Sequence, residues 1–201
     1  MTAVWGPMGW MTLHSISLCY PEYPTTEDKK NVSDFMDAFA ATITCVRCRT
    51  DFSKLLLTYK QNVPSLFNSK NDLFLAICRM HNNVNRRLDK PISRSMGECI
   101  QSIKNASSYT SLIDFRTKYI DYLFRDWSTF GRGTSYQAVA FHSANKMKSL
   151  NESYWNSLSI SFDGLLSDSE VINFPNQPLV TKLVFPRINI KKFGFRLNKS
   201  L

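Results

Sequence analysis

A mainly α fold is what this sequence predicts: a four-helix bundle with a short fifth helix, plus a C-terminal extension with helices and some β. Three observations lead there. Apolar residues recur at helical spacing in four successive segments of the first hundred residues. Prolines and side chains suited to helix caps separate those segments. Beyond residue 158 the helical spacing gives way to proline-punctuated stretches of β-prone residues such as LVTKLVF, 179–185.

The elements follow in order. Residues 5–20 place Trp10, Leu13 and Leu18 at helical spacing, with Pro7 tolerable in a first turn and Pro21 and Pro24 closing the segment. Residues 27–44 set Val32, Phe35, Met36, Phe39, Ala40 and Ile43 on one stripe, opposite Lys30, Asp34 and Asp37. A third helix follows Cys45 and carries Phe52, Leu55, Leu56 and Tyr59 until Pro64. A fourth starts near Ser69 or Asn71, either able to cap free backbone N–H groups, and its apolar face is Leu73, Phe74, Ile77, Met80, Val84 and Leu88. Residues 95–105 suit a short fifth helix containing Cys99. Residues 111–127 read as an amphipathic helix, the GRG at 131–133 breaks it, and 135–158 suit another.

The predicted division is a first domain over residues 1–105 and a second over 106–201. With 201 residues, 43% hydrophobic and 20% charged, the chain can bury a core without relying on disulfides. Its first residues show no basic stretch and an interrupted apolar run, so a soluble protein without signal peptide or membrane span is expected. The net charge of +9 is concentrated late: residues 182–201 carry six basic side chains and no acid. Such a tail can touch nucleic acid or an acidic surface, with aromatics able to stack on bases, but terminal charge of this size is more often simply solvated. Nucleic acid is therefore disfavoured as a partner.

Two of five cysteines stand together in CVRC, Cys45 and Cys48. Cys78 and His81 repeat the two-residue gap, so a Cys3His zinc set of Cys45, Cys48, Cys78 and His81 is one reading, and a zinc-stabilised binding module its function. Against it, CRMH lies in an uninterrupted helical pattern without a Gly or Pro knuckle. The other reading is redox. A CxxC that opens a helix has its thiolate stabilised by backbone N–H groups and the helix dipole, and Arg47 and Arg49 add positive charge.

Polar residues occupy places where a bundle helix is usually apolar. His81, Asn82 and Asn85 share a helical segment with Val84, and a buried Asn without partners is costly, so a polar ligand is one explanation and a solvated face the plain alternative. In the first helix Trp10 and His14 are four apart and share a face.

GPMGWMTLH has a G-x3-W-x3-H arrangement (Gly6, Trp10, His14), CVRC follows about thirty residues later, and CRMHNNVNRRLDKP has C-x2-H-N-x-V-N with a Lys-Pro beyond it. In that order these motifs resemble the Erv/ALR family of FAD-linked sulfhydryl oxidases over roughly residues 5–100, and WGPMGW looks most like the forms encoded by large DNA viruses.

The resemblance implies a four-helix bundle holding FAD beside the CxxC and catalysis of disulfide formation, with electrons passing to O2 to give H2O2. It makes Cys45 the sulfur attacked by the substrate thiolate and Cys48 the flavin-proximal one. Trp10 and His14 would line the ring system, with Gly6 in the same motif. His81, Asn82, Val84 and Asn85 would meet the nucleotide, and Lys90 the phosphates or the flavin edge. Cys78 and Cys99 would form a structural disulfide pinning the fifth helix, and no metal is then needed. Pro7 departs from the family's usual Arg, and no Trp follows Cys99, leaving Tyr109 and Trp127 as candidates to substitute. With no second CxxC, the implied partner is a protein dithiol, thioredoxin-like or a small relay protein, and a homodimer through the first helices is expected. Cys19 is left as a buried free thiol. The implied location is host cytoplasm or virion for a virus-encoded form, and otherwise the mitochondrial intermembrane space.

Overall fold

A computed structural model describes residues 2–129 and 131–172, and of residues 2–4 the backbone alone. Its elements are α1 (Thr2–Cys19), α2 (Thr26–Thr42), α3 (Val46–Asn62), α4 (Lys70–Arg87), α5 (Met96–Ala106), α6 (Leu112–Thr129) and α7 (Gln137–Ser153), then one 3-10 turn at Trp155–Ser157. Four starts have a local cause. Thr25 and Asp28 close a reciprocal capping box on α2. Ser69 and Ser95 accept the Asp72 and Glu98 amides at the starts of α4 and α5. Cys45 does the same for α3 with its sulfur, 3.3 Å from the Cys48 nitrogen.

Six of these helices match the predicted segments to within a few residues. The predicted single helix over 135–158 instead ends at Ser153, and Tyr154 breaks it before the short turn. Among the described residues there is no strand, only an isolated bridge between Ser95 and Glu170. The β-prone stretch at 179–185 and the basic tail lie outside the described residues.

The expected boundary at 105 and 106 falls at the end of α5, but no gap in packing accompanies it. α6 lies along α1 and α7 along α2, and Tyr119, Ile120, Leu123, Met147 and Trp155 join Leu13, Ile16, Phe35 and Phe39 in one apolar cluster. Packing is close at Gly9: a Cβ there would meet the Phe39 ring of α2 at 3.1 Å, tighter than ordinary contact, and the Tyr119 ring of α6 at 3.4 Å. The first two helices, through which a dimer is expected, thus already carry this chain's own α6 and α7. A second cluster around Phe74, Cys78, Met96 and Cys99 joins α4 to α5.

Arg116 on α6 is fully buried, and among the described residues it makes no salt bridge. Its nitrogens donate to Asn151 Oδ1 (3.0 Å), Asn156 Oδ1 (3.1 Å), the Trp155 carbonyl (3.3 Å) and Cys19 Sγ (3.2 Å). One guanidinium therefore ties α1, α6, α7 and the turn after it together. Cys19 is, as expected, a buried free thiol. Burial pushes its pKa up, and the Arg116 charge offsets part of that rise.

The segment after the turn returns over the bundle. Met96 and Gly97 amides donate to the Ser169 and Ser167 carbonyls, and Arg79 Nη2 to the Glu170 carbonyl at 2.9 Å. This fixes residues 167–171 beside the start of α5.

Candidate active site

Helices α1, α3, α4 and α5 enclose a cavity of about 700 Å³ with mostly apolar walls. Sequence logic explains who faces it. On α1, Gly6, Trp10 and His14 recur every four residues and so share one face. On α4, His81, Val84 and Asn85 do likewise, and Asn82 and Lys90 complete that side. All eight residues expected to bind a cofactor line this one cavity. Gly6 leaves it open, since a Cβ there would meet nothing within 4 Å.

The Trp10 and His81 rings stack 4.2 Å apart at 12°, and His81 Nδ1 lies 3.3 Å from His14 Nε2. Burial drives the His14 pKa well below its usual value, helped by His81. Burial likewise pushes His81 down to about 4, with the Lys90 charge adding to the effect. Both imidazoles are neutral at neutral pH, so one proton lies between them. His14 Nδ1 is buried without a hydrogen-bond partner among the described residues, a polar atom left for something the cavity holds.

Cys45 and Cys48 are bonded to each other at the start of α3, with Cα atoms 5.2 Å apart. Cys48 lines the cavity and Cys45 does not. Cys45 and Cys48 are each half-buried, and Cys45 is followed by the exposed Val46 (66%) and Arg47. The positive charge expected around the pair is only partly there. Arg47 sits 3.9 Å from Asp51. Arg49 turns away to donate to the Ile43 carbonyl at 2.8 Å and to stack over Tyr136 at 4.0 Å.

Cys78 and Cys99 are bonded between α4 and α5, both buried, with Cα atoms 6.5 Å apart. This does not favour the zinc reading: among the described residues Cys45, Cys48, Cys78 and His81 form no common cluster, with Cys45 bonded to Cys48 and Cys78 to Cys99. The group that does converge is His14 with Cys78 and Cys99, donor atoms within 4.8 Å, and its two sulfurs are bonded to each other.

Asn82 and Asn85 line the cavity and also have partners within the chain. Asn82 donates to the Ser93 carbonyl at 2.7 Å and the Val171 carbonyl at 3.3 Å, and accepts from the Ser93 amide at 3.0 Å. Asn85 donates to the Pro91 carbonyl at 3.1 Å. Both amides thus hold the loop that walls the cavity. Neither Tyr109 nor Trp127 lines the cavity: Tyr109 is 98% exposed, and Trp127 donates to the Thr42 carbonyl. The added aromatic is Trp5, whose buried Nε1 has no partner among the described residues. Sequence reasoning passed over it, although it stands beside Gly6. Arg87 also reaches the cavity and pairs with Asp51.

These features fit a flat, partly anionic cofactor: stacked rings on one wall, Lys90 and Arg87 near the rim, an unpartnered imidazole nitrogen inside, and a disulfide at the edge.

Comparison with known proteins gives the same direction. The model of the Erv1/Alr family matches residues 7–106. The mitochondrial FAD-linked sulfhydryl oxidase ERV1 of Saccharomyces cerevisiae is 34% identical over 86 residues, 43% of this chain and 43% of that protein. The FAD-linked sulfhydryl oxidase ERV1 of Arabidopsis thaliana is 32% identical over 42% of each. The FAD-linked sulfhydryl oxidase of African swine fever virus (isolate Tick/Malawi/Lil 20-1/1983) is 30% identical over 108 residues, 52% of this chain and 87% of that protein. The chain thus spans under half the length of the yeast and plant relatives. No solved structure matches it.

Proposed function

The chain belongs to the Erv1/Alr family, and from that premise we propose that it is a FAD-dependent thiol oxidase that forms disulfides in a protein substrate with O2 as acceptor. One observation carries the reading. The disulfide straddles the cavity edge, with Cys48 among the lining residues and Cys45 outside them.

A substrate thiolate attacks Cys45 Sγ, the Cys45–Cys48 bond breaks, and Cys48 leaves as a thiolate. Cys48 is the third residue of α3, where free backbone N–H groups and the helix dipole favour that negative charge. A second substrate thiolate attacks the substrate sulfur of the mixed disulfide and expels Cys45, so the substrate leaves oxidised and the pair holds two electrons. FAD, when bound, supplies a two-electron acceptor for the Cys48 thiolate and returns the electrons to O2. Trp10 and the His81 ring offer the flat surface for it, His14 Nδ1 a hydrogen bond, and Lys90 and Arg87 charge for its phosphates. Water is kept from this face by Trp5, Phe39 and Phe52, which share the lining.

The substrate is a protein dithiol, since Cys45 lies outside the cavity lining with Val46 exposed beside it. No described helix is long and apolar enough to cross a membrane. A homodimer must use a surface that leaves α6 and α7 in place on α1 and α2. The test is purified protein: it carries flavin and consumes O2 with dithiothreitol, whereas colourless material without oxygen uptake overturns the assignment.

A further inference from the structure

The turn between α6 and α7 reaches the redox pair from outside the bundle. Trp127 Nε1 donates to the Thr42 carbonyl at 2.8 Å, at the end of α2 and three residues before Cys45. The next carbonyl, Ile43, accepts from Arg49 Nη1 at 2.8 Å, and Arg49 directly follows Cys48. The Arg49 guanidinium lies over the Tyr136 ring at 4.0 Å and 5.7 Å from the Trp127 ring centroid. The two rings are 5.9 Å apart. The turn braces itself: Gln137 Nε2 donates to the Trp127 carbonyl at 2.9 Å, and Gly131 sits so close that a Cβ would lie 2.1 Å from the Trp127 ring. Both shoulders of the CVRC loop are therefore held by residues that lie beyond the segment matching the family.

We infer that Trp127 and Tyr136 are positioning residues for the Cys45–Cys48 couple, and that this clamp sets its reduction potential. Reduction breaks one S–S bond and takes up two electrons and two protons. The dithiol is then normally free to spread apart, and that freedom favours the reduced form. Here the carbonyls before Cys45 and the side chain after Cys48 are fixed on one aromatic wall, so the thiols stay at closing distance. Stacking on Tyr136 also holds the Arg49 cation in place, where a released guanidinium would be free to stabilise a Cys48 thiolate. Both effects favour the disulfide. Without the clamp the couple becomes easier to reduce.

The inference rests on the oxidase reading for its chemical context, but its test does not depend on flavin. Wild type, Tyr136→Leu, Tyr136→Phe and Trp127→Phe are equilibrated without oxygen in graded ratios of dithiothreitol to its cyclic disulfide. The fraction of reduced Cys45 and Cys48 is read by alkylation and mass measurement. Tyr136→Leu is expected to move the equilibrium about tenfold toward the dithiol, about 30 mV for a two-electron couple. Tyr136→Phe keeps the ring and stays at the wild-type position, and Trp127→Phe, which loses the bond to Thr42, falls between. Tyr136 is half-buried, so Tyr136→Leu is expected to keep the fold, checked by an unchanged melting midpoint. The inference is overturned if Tyr136→Leu and Trp127→Phe both keep the wild-type equilibrium, or if Tyr136→Phe shifts as far as Tyr136→Leu. Absence of flavin and oxygen uptake in wild type sinks the proposed function alone, because the equilibrium still reports on the clamp.

Discussion

Trp10 and His81 lie face to face, 4.2 Å between ring centroids and 12° from parallel, and the second nitrogen-bearing ring of the site, His14, contacts His81 at 3.3 Å. An imidazolium in this stack would be a buried cation beside a second histidine, so the folded site binds protons less readily than the unfolded chain. His81 falls to about 4 and His14 well below its usual value, against about 6.5 unfolded. Protons are therefore taken up on unfolding, and stability present above about pH 6.5 is lost as pH falls toward 4. Thermal midpoints against pH are expected to decline over that interval. His81→Phe, which keeps a flat ring against Trp10, is expected to flatten the decline, and an unchanged slope would remove His81 as its cause.

The two sulfurs of the pair differ in position, and their variants are expected to differ in outcome. Cys48→Ser leaves no disulfide for a substrate thiolate to attack, so thiol oxidation is lost, and its free Cys45 is capped by a small disulfide such as cystamine, with release of cysteamine, as read by intact mass. Cys45→Ser also loses thiol oxidation, and its Cys48, on the cavity wall, is capped more slowly. Turnover with dithiothreitol at the wild-type rate in Cys48→Ser would defeat the assignment of roles.

Asn82 and Asn85 share a helix but not a task. Asn82→Ala removes three buried or half-buried bonds to Ser93 and Val171 and is expected to cost about 1–3 kcal/mol in denaturant unfolding. Asn85→Ala removes one exposed bond to Pro91 and is expected to cost about 0.5 kcal/mol. Equal losses would contradict the division of labour.

Arg116→Met leaves the buried acceptors of Asn151 and Trp155 without donors and is expected to destabilise by about 2 kcal/mol. Combining it with Asn151→Leu removes a donor and an acceptor together, and the double variant is expected to lose less than the two single losses added. A double-mutant cycle measures that coupling, and simple additivity would mean that the guanidinium does not hold α7 through Asn151.

Much of the bundle was readable because α2 and α4 carry continuous apolar stripes, Val32 to Ile43 and Leu73 to Val84, and Ser69 marks a start for α4. The cavity face was readable for the same reason, as four-residue spacing alone puts Gly6, Trp10 and His14 together. Long-range partners were not. The bonds of Asn82 to Ser93 and Val171, 11 and 89 residues away, leave no mark on the sequence around it. Arg116 read as one more charge on an amphipathic helix, and nothing local marks it as interior. The boundary at residue 105 came from a change of composition, which says nothing about which apolar faces meet.

Because α6 and α7 supply the outer wall of α1 and α2, the order of synthesis matters. The first 106 residues leave the ribosome with Leu13, Phe35 and Phe39 bare on one flank, and that flank is sealed only once the stretch through Trp155 has emerged. The half that matches the family must wait for the half that does not.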